Sequence, residues 1–139
     1  MSIKKTIALF TSMALSLSML TIDCSAVADS KDIDNSQVNL SICTFTSVSP
    51  TTAKAYGYMK QRKANDSAKY SVASFLYCKG HSSYIAFSGY TNSVSLSKDN
   101  YLHSYYATHV KEESSENYAS RLQLTRNNLP YDSVGPLYK

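Results

Sequence analysis

The chain has 139 residues, a formal net charge of +4, three cysteines, twelve tyrosines and no tryptophan. Its basic residues are scattered apart from Lys60-Gln61-Arg62-Lys63, so the charge excludes a dedicated nucleic-acid binder and allows no more than loose attraction to an anionic polymer. Ser, Tyr, Thr and Val outweigh the Ala, Leu, Glu and Lys of long helices, which points away from a helical bundle and toward pleated, half-buried surfaces.

Residues 1–28 have the order of a cleavable secretory signal. Lys4 and Lys5 make a positive start, residues 6–22 carry no charge and are rich in Leu, Ile, Met and Ala, and Ala26-Val27-Ala28 is a small-x-small site just before Asp29. The apolar run is near the lower limit for spanning a bilayer and is diluted by Ser and Thr, which argues against a membrane anchor. Asp23, directly before Cys24, argues against lipidation of that cysteine. The expectation is an exported chain starting at Asp29, with no transmembrane span after processing.

Residues 29–37 are polar and acidic without periodicity and predict a flexible mature N-terminus. Val38, Leu40 and Ile42 then alternate with Asn39, Ser41 and Cys43 in the strand manner. A short strand covers Ala55 to Met59, and Lys60 to Lys69 reads as a loop. Tyr70 to Cys78 has apolar groups on both faces and predicts a central strand. Lys79-Gly80-His81-Ser82 is turn chemistry, and Ser83 to Tyr90 returns as the second arm of a hairpin. In that arm Ile85 and Phe87 are expected in the core, with Tyr84 and Tyr90 on the opposite face.

Ser93 to Ser97 predicts another short strand, and Lys98-Asp99-Asn100 a turn. Strict alternation over Tyr101 to Val110 puts Tyr101, His103, Tyr105 and His109 on one face, and Leu102, Tyr106 and Val110 on the other. Tyr118, Leu122 and Leu124 face the core, with Arg121, Gln123 and Thr125 outward; a helix over 112–126 is the rival reading, opposed by the serines and the clean alternation. Asn127-Asn128-Leu129-Pro130 breaks the chain. Val134, Leu137 and Tyr138 predict a last edge strand, where Pro136 is tolerated. About seven short strands with turns every eight to twelve residues predict a single all-β domain over residues 38–139, a small antiparallel β-sandwich or barrel.

Without the signal the chain keeps Cys43 and Cys78, which in an exported protein predict a disulfide closing a loop of about three dozen residues and contributing roughly 3–4 kcal/mol. Two buried free thiols are the alternative. His81, His103 and His109 lack metal-ligand spacing; His103 and His109 would lie about 20 Å apart along an unbent strand. No metal or other cofactor is expected. There is no Gly-x-Ser-x-Gly, phosphate loop or catalytic-cysteine context, so the reading is not an enzyme.

The tyrosines stand above this background. A sheet with one wet face presents Tyr as a flat apolar ring with a polar tip, suited to stacking on sugars or packing on peptides. Tyr101, His103 and Tyr105 are the candidate ligand-binding row; the alternative is that these residues are ordinary strand formers. The segment 119–128, ASRLQLTRNN, with Gly135-Pro136-Leu137-Tyr138, is similar to the final strands of small exported Tyr- and Ser-rich proteins of Gram-positive bacteria. His103-Ser104-Tyr105-Tyr106-Ala107-Thr108-His109 loosely resembles the His- and Tyr-rich stretch of lactococcin-type bacteriocins, whose aromatic strands contain the Trp that this chain lacks. Two functions follow as expectations: a secreted, non-enzymatic module binding a cell-wall or cell-surface polymer or protein, or a bacteriocin-like effector acting on a competitor's envelope.

Overall fold

The computed structural model describes residues 25–112, 116–136 and 138, and among these residues it contains strands and no helix. Nine strands follow in order: β1 (Ser25–Asp34), β2 (Asn39–Val48), β3 (Thr52–Gln61), β4 (Tyr70–Cys78), β5 (Ala86–Phe87), β6 (Tyr101–His103), β7 (Ala107–Val110), β8 (Tyr118–Arg126) and β9 (Leu129–Val134). They form two antiparallel sheets. One runs β1-β2-β3-β6, with β7 also on β3; the other runs β5-β4-β8-β9. The sheets stack as a sandwich, and no barrel closes among the described residues.

Alternation explains the stacking. Leu40 and Ile42 of β2 and Met59 of β3 point inward and meet Tyr70, Val72, Leu122, Leu124 and Val134 of the second sheet. Removing one such aliphatic side chain from water contributes roughly 1.5–3 kcal/mol. A second cluster is built from smaller groups, Ala53, Ala55 and Ala107 against Leu76, Cys78 and Tyr118. Gly57 of β3 is hemmed in by its own sheet and by the opposite one. A Cβ there would strike the Cys43 carbonyl and sit 2.9 Å from Leu122 Cδ1, so the strand interior keeps a glycine for want of space. Buried hydroxyls are paired across the layers: Thr44 and Thr46 each donate to Ser120 Oγ, at 2.9 and 2.8 Å.

Most of the expected elements are present. The central strand Tyr70–Cys78 is β4, and the segment read as strand or helix is the strand β8. Leu122 and Leu124 are fully buried. Asn127 and Asn128, read as a break, both take positive φ, at 51° and 64°. Arg126 pairs with Leu129 around them, so they form a two-residue hairpin turn of the kind that matches strand twist. Pro130 is the second residue of β9, an edge strand.

Other expectations are corrected. Residues 29–34 are not a loose lead but the greater part of β1, paired with β2 from Asp29↔Thr44 to Asp34↔Asn39. Ile33 is buried, Lys31 Nζ reaches Asp132 at 2.8 Å and Arg62 reaches Asp32 at 3.2 Å. Charge conceals this strand in the sequence because it is an edge, where charged side chains guard against unwanted pairing. Residues 25–28, inside the segment read as signal, form its first part; residues 1–24 lie outside the described set. Ser93 to Ser97 is reduced to one bridge, Tyr70↔Val94. Phe87 is not core: it pairs with Phe75 on the outer face and is 44 % exposed. Ile85 is half-buried against the smaller cluster.

The expected Cys43–Cys78 disulfide is also absent; both thiols are free and buried. Their strands place them on different sides of a sheet. Cys78 points between the layers with Leu76 and Tyr118, whereas Cys43 lies on the outer face of the five-stranded sheet opposite Tyr58. Side chains separated by a sheet cannot be bridged without moving backbone.

Candidate binding site on the outer sheet faces

Strand β3 positions the site. Its inward residues are small or aliphatic, so Tyr56 and Tyr58, the alternate positions, are turned outward between Lys54 and Lys60. Their cross-strand partners on β2 are Phe45 and Cys43. On the other side Tyr58 pairs with His103, and Lys60 with Tyr101. The rings touch in sequence: Tyr106–Tyr56 at 5.2 Å, Tyr56–Phe45 at 5.0 Å, Phe45–Tyr58 at 5.9 Å, Tyr58–Tyr101 at 5.2 Å and Tyr58–His103 at 5.8 Å. Such offset and edge contacts stabilise one another by about 0.5–1.5 kcal/mol per pair beyond burial. The outcome is a strip of six rings across one sheet.

A cation stands at each end. Lys54 Nζ lies 5.6 Å from the Tyr106 ring centre and Lys60 Nζ 5.4 Å from that of Tyr101, both within cation–π range. Lys60 is also 3.8 Å from Asp99. Burial pushes the Tyr58 phenol up from its ordinary pKa, and the neighbouring Cys43 adds to the effect. Burial likewise raises Cys43, outweighing the Tyr58 hydrogen bond. Both groups therefore stay neutral at pH 7, and Cys43 is a poor nucleophile.

Of the row expected from the sequence, the structure brings Tyr101 and His103 together, with ring centres 6.0 Å apart. Tyr105 does not join them. Between the pairs Tyr58↔His103 and Ala55↔Ala107, three steps on β3 face four on the partner. That extra residue is a β-bulge, and it reverses the alternation beyond it. Tyr106 consequently takes the outer position beside Tyr56 and is 62 % exposed. Tyr105, 56 % exposed, makes no ring contact with the strip. His109 turns from the expected face toward Tyr118. Ser104 holds the bulge: its Oγ accepts from Gly57 N–H at 2.9 Å and meets Ser74 Oγ at 2.7 Å. The sequence puts Tyr56 and Tyr58 together on the Ala55 to Met59 strand, but pattern alone does not join them, or Phe45, to the candidate row.

The four-stranded sheet has its own outer rings. Phe75 of β4 stacks on Phe87 at 4.8 Å and meets Tyr84 at 5.1 Å; Tyr90 follows Phe87 at 5.8 Å. Tyr84 and Phe87 thus share a face rather than opposing one another. Arg121 pairs with Phe75 on the same side and donates to Ser133 Oγ at 3.0 Å. No family model matches the chain, and no curated protein or solved structure shows significant similarity to it.

Proposed function

We propose that this is a secreted, non-enzymatic protein that binds a polysaccharide of a cell surface or envelope through the outer strip of the five-stranded sheet. The observation that carries this reading is the run of six touching rings, Tyr106, Tyr56, Phe45, Tyr58, Tyr101 and His103, none of which faces the interlayer core. Tyr106, Tyr101 and His103 are exposed and Phe45, Tyr56 and Tyr58 half-buried beside them, and contiguous exposed apolar surface rimmed by polar groups marks interaction sites. Tyr rings stack on the C–H faces of sugars with little rotamer entropy to lose, and their hydroxyls hydrogen-bond the sugar edges. Lys54 and Lys60 add donors at both ends. Export rests on residues 1–28.

The test is retention of the purified protein on cell-wall polysaccharide, with denaturant melts run alongside. Replacing Tyr101 and Tyr106 together by Ser is expected to reduce retention by at least about tenfold, equivalent to 1.4 kcal/mol, while the melt stays within about 1 kcal/mol of the parent. Unchanged retention overturns the reading. Growth inhibition of other bacteria by a protein that does not bind the wall favours the effector instead.

A further inference from the structure

The second ring cluster has no work in the core. Phe87, Tyr84 and Tyr90 are all at least 40 % exposed, and they lie on the side of β4 away from the other sheet. Beside them runs an open depression of about 300 Å³ lined by Arg121, Gln123, Pro130, Tyr131, Asp132 and Ser133. Asp132, the one carboxylate in that lining, is already neutralised by Lys31 at 2.8 Å. Arg121 holds Ser133 through Nη2, and its Nε is buried without a hydrogen-bond partner. Ring platform and guanidinium therefore stand together, Arg121 beside Phe75, as ring strip and lysines do on the opposite sheet.

We propose that this face is a second, independent surface for the same polymer, that the polymer is an acidic polysaccharide bearing carboxylates on its sugars, and that the protein bridges two such chains. The proposal rests on the polysaccharide reading above. Charge complementarity favours the acidic class: Lys54 and Lys60 flank the first ring cluster, Arg121 stands beside Phe75 in the second, and guanidinium is matched in shape to carboxylate. A uronate polymer offers a stackable ring and a carboxylate in each residue, the pairing that both faces present. Two chains are required because the outer faces of a sandwich point apart, with the sheets themselves about 10 Å from each other before the rings are added.

The experiment uses the purified protein and polygalacturonate, as short oligosaccharides for calorimetric stoichiometry and as long chains for light scattering. Two sites per protein and a rise in scattering are expected. Replacing Tyr84 and Phe87 together by Ser should leave one site and abolish the rise; so should replacing Tyr101 and Tyr106. Arg121→Gln, which keeps every ring in the sequence and removes the charge, should weaken the second site by about tenfold and leave the first unchanged. One site, lost with the strip and indifferent to the second face, overturns bridging while the polysaccharide reading stands. Retention on cell-wall polysaccharide without binding to polygalacturonate overturns the acidic class. Absence of binding to either removes both readings. A dimer that Phe87→Ser converts to monomer assigns the face to a second copy of this chain and overturns the proposal.

Discussion

Strand β3 has two faces of opposite chemistry. Toward the second sheet it sets Ala53, Ala55, Gly57 and Met59; toward solvent it sets Lys54, Tyr56, Tyr58 and Lys60. The inner face keeps its volume small, and Gly57 cannot accept a methyl group between the Cys43 carbonyl of β2 and Leu122 of the other sheet. The outer face does the reverse and gathers large rings that half-bury one another on the solvent side. Of the twelve tyrosines, only Tyr70 and Tyr118 are buried. Tyrosine here is a surface residue, and its abundance reflects the outside of the sandwich.

The contrast breaks most sharply in the core. Leu122 is fully buried against Gly57, and Leu122→Ala is expected to destabilise by roughly 3–4 kcal/mol through lost burial and the cavity left behind. Gly57→Ala approaches the same contact from the other side. The added methyl meets backbone that cannot move aside, and a loss of about 2–3 kcal/mol is expected from overpacking. Denaturant melts check both; losses below about 1 kcal/mol would mean that the interlayer space is looser than the structure implies.

A smaller effect is expected from Arg121→Ala. The sequence alone places Arg121 in solvent, where truncation costs less than about 0.5 kcal/mol. Its bond to Ser133 and its place beside Phe75 raise the expected loss to about 1 kcal/mol, again read from melts.

Acid sharpens the inner side of the comparison. Burial raises the Asp66 carboxyl, but donation from Tyr70 Oη, Ala68 N–H and Gln61 Nε2, with the Arg126 charge, outweighs it and holds the group below its ordinary value. A depressed folded-state pKa gives stability that is present above the unfolded value near 4 and lost as pH falls through the folded one. The denaturation midpoint should therefore drop below about pH 4, and Asp66→Asn should flatten that drop. An identical acid limb in the variant would remove Asp66 from the account. At the alkaline end, burial followed by the Asp66 hydrogen bond pushes Tyr70 up to about 12, so its contribution fades only as pH rises from about 10 toward that value.

Period-two reading found the sandwich and the β8 pattern of Leu122 and Leu124 against Arg121 and Gln123, because the strand is long; Thr125, expected outward, is buried on Ser71 where the pairing with β9 shifts register. It failed where regularity is short or broken. β5 has two residues, Ala86 and Phe87, too few for parity to declare a face. β1 hides behind its charges. The bulge between β6 and β7 exchanges Tyr105 for Tyr106, and no local residue announces it; Ser104 and Gly57, which hold it, are far apart in the chain. Cys43 and Cys78 looked paired because export and number suggested it, but strand parity sets them on different faces.

The most direct test of the outer face is the retention of Tyr106→Ser on cell-wall polysaccharide relative to that of Tyr105→Ser. The two residues are adjacent and similarly exposed, and only Tyr106 touches the ring strip. A fall of about tenfold for Tyr106→Ser and less than about twofold for Tyr105→Ser is expected, since Tyr106 belongs to the ring strip and Tyr105 does not. Equal losses, or a larger loss for Tyr105, would contradict the ring strip as the binding surface.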